Sequence, residues 1–389
     1  MPLEAGVLVM SKQKPSTKKS IFFHIVLLLI PITTLVLTYL AYTTFRTVQF
    51  YNYVKSDQRG WSGQVHQAHK ELGYAPIPNS HGWEIMPLGP DIPVRYDKDG
   101  FRIPVDEKLK TTNNHPYALT LGCSFTYGAA THAENTFPYL IGADFGVSTK
   151  NAGVCSYGLS QMVLIAKLLI PRHKPDYVIV QYSPWLVKRA IQPFAPSYYG
   201  KLPNPYYFGE SALGIAPAVF QTKVFDLPID NYRNTQKGVS DFFLFSVNIG
   251  FPLLLHDDFN MTKYTLAKFL RLTNGPTKNR SAVIQDAYKE IANMAEQNNA
   301  RMIIVVLGEN HLPVPISKDL FPRNAVVIDA HSELLNRLPT IDEKSFQRHY
   351  NHWRGEPPTL VDTHPNELAH KIIAEMITLQ MVKFSKKEI

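Results

Sequence analysis

The sequence predicts an α/β fold: a flavodoxin-like three-layer αβα sandwich with a parallel sheet, preceded by one transmembrane helix. Three observations carry this expectation. Ser20 to Phe45 contains no Asp, Glu, Lys or Arg and is dominated by apolar residues. From Tyr117 onward, short β-branched runs alternate with helix-length amphipathic segments. Between those elements, Gly, Ser and Asp cluster where strands end, as they do where an open parallel sheet presents its loops.

The chain has 389 residues and a formal charge of +8, from 40 Lys and Arg against 32 Asp and Glu. One domain with an insertion and an anchor accounts for this length. Part of the positive charge lies in a basic tail over residues 1–19, at Lys12, Lys14, Lys18 and Lys19. No zinc-finger spacing, aromatic-basic RNA motif or Arg stripe is present, so nucleic-acid binding is not expected.

Residues 20–45 read as the anchor, because a spanning helix needs about 20 apolar residues whereas a signal-peptide core runs about 7–15. Pro31 is tolerated in such a helix. The four lysines ahead of the span put the N-terminus in the cytoplasm and the rest of the chain in the periplasm or another extracytoplasmic space. Residues 46–75 read as a polar, partly helical stalk interrupted by Gly60 and Gly63.

The body covers residues 76–385. Its lead-in is rich in Pro and Gly and contains His81-Gly82-Trp83 and the turn-then-strand signal Asp97 to Arg102. Strands are expected at Tyr117–Leu121, Tyr177–Gln181, Met302–Leu307 and Ala325–Ile328. Helices are expected at Gln161–Ile170, closed by Pro171, at Ala282–Asn298 and at Leu368–Val382. Over about 189–279 the alternation fails in favour of clustered Pro, Tyr and Phe, an insertion that caps or lines a site.

Three loops carry chemistry. Leu121-Gly122-Cys123-Ser124-Phe125 places a serine just beyond a strand, where the next helix's N–H groups stabilise an oxyanion. Asn151-Ala152-Gly153-Val154 offers Gly153, whose N–H approaches a ligand without a Cβ in the way. Val361-Asp362-Thr363-His364-Pro365-Asn366 sits before the last helix, with Pro365 suited to its first turn. A nucleophilic serine needs an imidazole to take its proton and a carboxylate to orient that imidazole. Each loop by itself also reads as an ordinary turn or helix cap.

Together the three loops resemble the SGNH (GDSL-like) hydrolase superfamily, as a membrane-anchored bacterial member. A G-D-S-F motif matches Gly122, Cys123, Ser124 and Phe125. An N-x-G-V-x-G-Y-G block matches Asn151, Gly153, Val154, Tyr157 and Gly158. A D-G-H-P-N-like block matches Asp362, His364, Pro365 and Asn366. The resemblance implies catalytic Ser124, His364 and Asp362, an oxyanion hole of Ser124 and Gly153, and a serine-dependent ester hydrolase or O-acyl transferase. It would act through an acyl-enzyme at the cell envelope on an ester, an acylated glycan or a lipid among its possible substrates. The alternative is a catalytically silent SGNH-like domain that binds polysaccharide or scaffolds an export complex.

Two departures stand out. The family's further oxyanion Asn is missing, since the third block reads Tyr182-Ser183-Pro184-Trp185; Ser183, a backbone N–H or an insertion residue would have to replace it. Cys123 stands in place of Asp, and with Cys155 in the neighbouring block it raises the expectation of a disulfide, against two buried free thiols. His349 and His352 are expected at the surface, and His370 toward solvent or the sheet. No cofactor and no metal site is expected, and the oligomeric state is not legible.

Overall fold

The computed structural model describes residues 17–56, 59–106, 116–209, 214–273 and 275–385. Most of the basic tail, Lys12 and Lys14 included, lies outside the described residues. Two compact units are distinguished, Met1–Gln49 and Phe50–Ile389.

The first unit is most of helix α1, Thr17–Val54. At 1.5 Å per residue its 38 residues span about 57 Å, well beyond a hydrocarbon core of about 30 Å. Its Ile, Leu and Phe side chains are exposed along the expected anchor, and Ile21–Val54 is long and apolar enough to cross a membrane. The helix does not stop at residue 45, because the polar residues that follow contain no helix breaker before Gly60.

The second unit is built on a nine-stranded sheet. Its strands are β1 Gly60–Ser62, β2 His81–Ile85, β3 Ile92–Tyr96, β4 Arg102–Ile103, β5 Tyr117–Leu121, β6 Ser148–Asn151, β7 Tyr177–Tyr182, β8 Arg301–Val306 and β9 Ala325–Ile328. Their spatial order is β1-β2-β3-β4-β6-β5-β7-β8-β9. The five strands from β6 to β9 are parallel and run 2-1-3-4-5 in chain order, the flavodoxin-like arrangement. β7 and β8 are almost continuous Val and Ile, buried on both faces, as parallel strands covered by helices must be. Helices α2 Ser124–Tyr127, α3 Phe137–Phe145, α4 Leu159–His173, α5 Arg280–Gln297, α6 Ala330–Asn336 and α7 Glu367–Ser385 complete the layers used below. α4 packs with α5, and α7 with α3 and α6. Pro171 lies inside α4 rather than closing it, and the helix ends at Lys174 in the left-handed region.

The antiparallel extension β1 to β4 differs from the sequence expectation. Residues 60–75, expected as stalk, belong to the body: Gly60–Ser62 pairs with β2, and Trp61, Val65, Leu72 and Tyr74 are buried. Strands this short among Pro and Gly carry too little periodicity to read, and only pairing defines them. The insertion is not structureless. It forms two hairpins, Phe194–Ser197 with Gly200–Pro203 and Tyr206–Phe208 with Gly214–Ala216, then a long irregular helix over Val239–Phe269.

Candidate active site

The parallel strand order reverses between β5 and β7, where an open sheet leaves a crevice beyond its strand ends. β5 delivers Gly122-Cys123-Ser124 there, and α2 starts at Ser124. The turn is held from several sides. Gln181, at the end of β7, accepts hydrogen bonds from the Cys123 N–H (3.0 Å) and the Thr126 hydroxyl (2.9 Å). Its amide donates to Ser183 Oγ (2.8 Å) and reaches Cys123 Sγ (3.2 Å). Arg102 donates to the carbonyls of Tyr127 (2.6 Å), Gly128 (2.7 Å) and Thr131 (2.7 Å). Arg102, at the end of the turn-then-strand signal Asp97 to Arg102, thus clasps the far end of the Ser124 turn.

From the opposite side, a hairpin of His352–Arg354 and Thr359–Asp362 ends on Asp362, and the loop to α7 carries His364. Asn351 and Asn366 lace this loop: the Asn351 amide donates to the Thr363 carbonyl (2.9 Å), and the Asn366 amide donates to the His349 carbonyl (2.8 Å). Asn366 Oδ1 accepts the Ala369 N–H (3.1 Å) and so caps α7.

The two loops meet. Ser124 Oγ lies 2.8 Å from His364 Nε2, and His364 Nδ1 lies 2.8 Å from Asp362 Oδ1, which also accepts the His364 N–H at 2.8 Å. The partners assign the protons. A carboxylate only accepts, so Nδ1 carries the hydrogen and Nε2 is left to accept the serine hydroxyl. Ser124 is 5% exposed and Asp362 9%, so the relay lies in a largely water-excluded place. Phe125 packs edge-on against both His364 (5.3 Å) and Trp185 (5.0 Å).

Two charged residues of the site were not legible beforehand. Arg59 pairs with Asp362 through one Nη and with the fully buried Glu84 through the other. Its Nη1 is also 3.1 Å from His364 Nδ1; because Nδ1 is protonated, that guanidinium hydrogen serves Asp362 Oδ2. Glu84 in turn accepts the Ala130 N–H at 3.1 Å. The cluster therefore holds one cation and two carboxylates beside a neutral imidazole. Burial first, and then Arg59, push His364 down to about 3.

Burial does the same to three more imidazoles, His66 and His370 to about 3 and His352 to about 4. His352 lies under the site with Nε2 3.2 Å from the Pro365 carbonyl, and His370 is fully buried with Nδ1 accepting the Phe137 N–H (3.2 Å). His352 is therefore not the surface histidine the sequence suggests, and His370 is turned inward rather than to solvent. Unfolded, all four imidazoles titrate near 6.5, so below that pH the unfolded chain binds more protons than the folded one. The stability they contribute is complete above 6.5 and is lost as pH falls toward 4 and below. A calorimetric Tm is expected to drop steadily from pH 6.5 to 4; a flat Tm would contradict neutral burial.

The oxyanion side differs from expectation at Gly153. Its N–H donates to Asn151 Oδ1 at 2.9 Å, and a Cβ there would collide with the backbone of Thr126 and Tyr127. Gly153 thus serves close packing beneath the Ser124 turn, and its N–H is occupied. The next glycine position of the same block holds Ser156, with φ of 67°, a strained left-handed conformation for a residue with a Cβ. Ser156 is the one residue of 151–160 that is not buried. Ser183 is no replacement for the missing Asn, since its hydroxyl donates to the Leu307 carbonyl (2.8 Å).

The expected disulfide is also corrected. Cys123 and Cys155 are free, buried thiols. Cys123 packs into the core under the sheet, whereas Cys155 packs with Trp61, Val65 and Tyr96, so the two side chains serve different clusters. Burial pushes the Cys155 thiol up, away from reactivity. Among the described residues no group of three or more His, Cys, Asp and Glu is placed to hold a metal ion.

No protein-family profile and no curated protein matches the sequence. Solved structures similar to the chain include a GDSL-like lipase from Bacteroides thetaiotaomicron, 11% identical, covering 69% of this chain and 88% of its own, with a TM-score of 0.30. The esterase EstA from Pseudoalteromonas sp. is 10% identical and covers 70% and 99%, with a TM-score of 0.29. A family two carbohydrate esterase from Clostridium thermocellum, solved with cellohexaose, is 8% identical and covers 85% and 88%, with a TM-score of 0.30. At such distances the chemistry of this chain rests on its own geometry.

Proposed function

We propose that the chain is a membrane-anchored serine ester hydrolase or O-acyl transferase of the SGNH type, with Ser124 as nucleophile, His364 as general base and then acid, and Asp362 as the carboxylate that orients it. The observation that carries this reading is the unbroken hydrogen-bonded path from Ser124 Oγ through both nitrogens of His364 to Asp362, each step 2.8 Å.

In the reaction, Ser124 Oγ attacks the ester carbonyl carbon as His364 Nε2 takes its proton. The collapsing tetrahedral oxyanion expels the alcohol, which leaves with that proton, and an acyl-enzyme remains. Water, or a hydroxyl of an acceptor, then attacks the acyl carbon as His364 Nε2 takes its proton; the second tetrahedral oxyanion collapses, Ser124 Oγ leaves and takes that proton back, and the acid or the new ester is released. Imidazolium formation brings the cluster of Arg59, Glu84 and Asp362 to balanced charge, which favours the transition state. The Ser124 N–H, in the first turn of α2 where no helical acceptor exists, is the first oxyanion donor.

The α1 helix anchors the enzyme with its N-terminus in the cytoplasm and its body outside, facing acylated glycans or lipids of the envelope. The silent polysaccharide-binding domain is the second reading, supported by the missing Asn and the engaged Gly153 N–H. To separate the two, the full chain in detergent is assayed on p-nitrophenyl acetate and on short- and long-chain esters, with and without sugar acceptors. Turnover is expected, and acyl-sugar products would identify transfer. No turnover of any ester would favour the silent domain.

A further inference from the structure

The insertion helix over Val239–Phe269 leaves a long apolar stripe uncovered. Its inner side packs on the body through Phe245 and Ile249, against Tyr51, Val224 and Tyr232 among others, and Leu254 is buried as well. Asp257 fastens the same side, accepting hydrogen bonds from the Thr222 hydroxyl and the Lys223 N–H. On the outer side Phe243, Val247, Phe251, Leu255 and Phe259 recur at every fourth residue, and all are exposed, from 44% at Val247 to 72% at Leu255.

A four-residue repeat drifts around an ordinary α-helix, which turns every 3.6 residues. Here two π-helical turns, Ser246–Gly250 and Leu254–Asp258, interrupt it. Each inserts about one extra residue, so the stretch from Phe243 to Phe259 makes about 3.9 turns over its four repeats. The π turns keep the five side chains in line on one face. Soluble monomers rarely expose contiguous apolar patches above a few hundred Å².

Two further observations say what covers this face. The first is continuity with the anchor. The charge-free stretch of α1 ends at Phe45, and only a few residues on, about 9 Å along a helix, Tyr51 packs edge-on against Phe242 (5.1 Å) and Phe245 (5.2 Å) and donates to Asp241 (2.8 Å). The insertion helix thus begins against the residues that follow the proposed membrane span. The second is charge. Residues 259–280 contain Lys263, Lys268, Arg271, Lys278 and Arg280 and no Asp or Glu, and these five are exposed.

We propose that the outer face of the Val239–Phe269 helix lies in the plane of the bilayer that α1 spans, with its apolar stripe among the acyl chains and its basic C-terminal side on anionic headgroups. It is a second membrane contact, beside the span. The proposal rests on α1 being inserted, so that insertion is read separately.

The full chain is reconstituted in vesicles of phosphatidylethanolamine and phosphatidylglycerol. It carries a single fluorophore on Phe243→Cys, Leu255→Cys or Leu266→Cys, with Leu35→Cys as the report on α1 and Gln297→Cys as a control on α5. Cys123 and Cys155 are buried and stay unlabelled. Lipids with a quencher on the acyl chain are expected to remove most of the fluorescence at positions 243, 255, 266 and 35, and none at 297. Replacing phosphatidylglycerol by phosphatidylcholine, or Lys263, Lys268 and Arg271 by Glu, is expected to weaken quenching at 266 but not at 35. Quenching at 35 without quenching at 243 and 255 overturns the platform while leaving the anchor intact. Lipid-independent self-quenching at 255 overturns it in favour of a second copy of the chain. No quenching at 35 refutes the anchor itself, and with it the proposal.

Discussion

Ser124→Ala is expected to lower kcat on p-nitrophenyl acetate by about 10⁴-fold or more, and His364→Ala by a similar factor, with the double variant no slower than either single one. The reason is the shared proton path: Ser124 Oγ at 2.8 Å from Nε2 acts only while the imidazole receives its proton, so removing either member removes the same step. Thermal unfolding should be almost unmoved for Ser124→Ala, whose side chain makes no hydrogen bond that holds loops together other than the one to His364 and a long contact to Cys123 Sγ (3.8 Å). Losses that multiply in the double variant would mean that the two residues act independently.

Arg59→Leu is expected to destabilise the body by about 3–5 kcal/mol, the range for removing one partner of a buried ion pair. Asp362 and Glu84 would remain as two neighbouring buried carboxylates without their cation. Adding Glu84→Gln to Arg59→Leu should recover much of the loss, because it removes the charge that Arg59 faces away from the dyad. The same change has a catalytic signature that a merely structural role would not give. Arg59 holds the His364 imidazole low, so without it the imidazole titrates at higher pH. The acid limb of the kcat/KM profile of Arg59→Leu should move upward in pH relative to the native chain. Urea unfolding and a pH–rate profile test the two halves, and an unmoved acid limb would assign Arg59 to structure alone.

Much of this was readable in the chain. β5 and β9 begin and end where their apolar runs do, and α5 and α7 match their amphipathic segments to within about three residues, because buried parallel strands and sheet-covering helices write strong patterns. Ser124, His364 and Asp362 were legible through their motifs, since each loop needs particular residue types at fixed spacing. Arg59, Glu84 and Gln181 were not. Arg59 meets Asp362 across 303 residues of chain, and Gln181 meets Cys123 across 58. Nothing local in the sequence distinguishes a buried arginine in a short edge strand's lead-in from a solvated one in a stalk. Gly153 failed for a related reason: a glycine in a turn serves either a ligand or a close backbone, and only the packed Tyr127 backbone decides between them. Of the two readings the cysteines allow, the structure has the free thiols; the sequence does not choose between them because neighbouring strand ends do not fix which cluster a side chain enters.

The central claim is that Ser124 is an activated nucleophile, and covalent trapping tests it most directly. The full chain is incubated with a fluorophosphonate at pH 7, digested and mapped by mass spectrometry. One phosphonyl group on the peptide containing Ser124 is expected, absent from His364→Ala under the same exposure. An unmodified Ser124 after prolonged exposure, or equal labelling with and without His364, would contradict it.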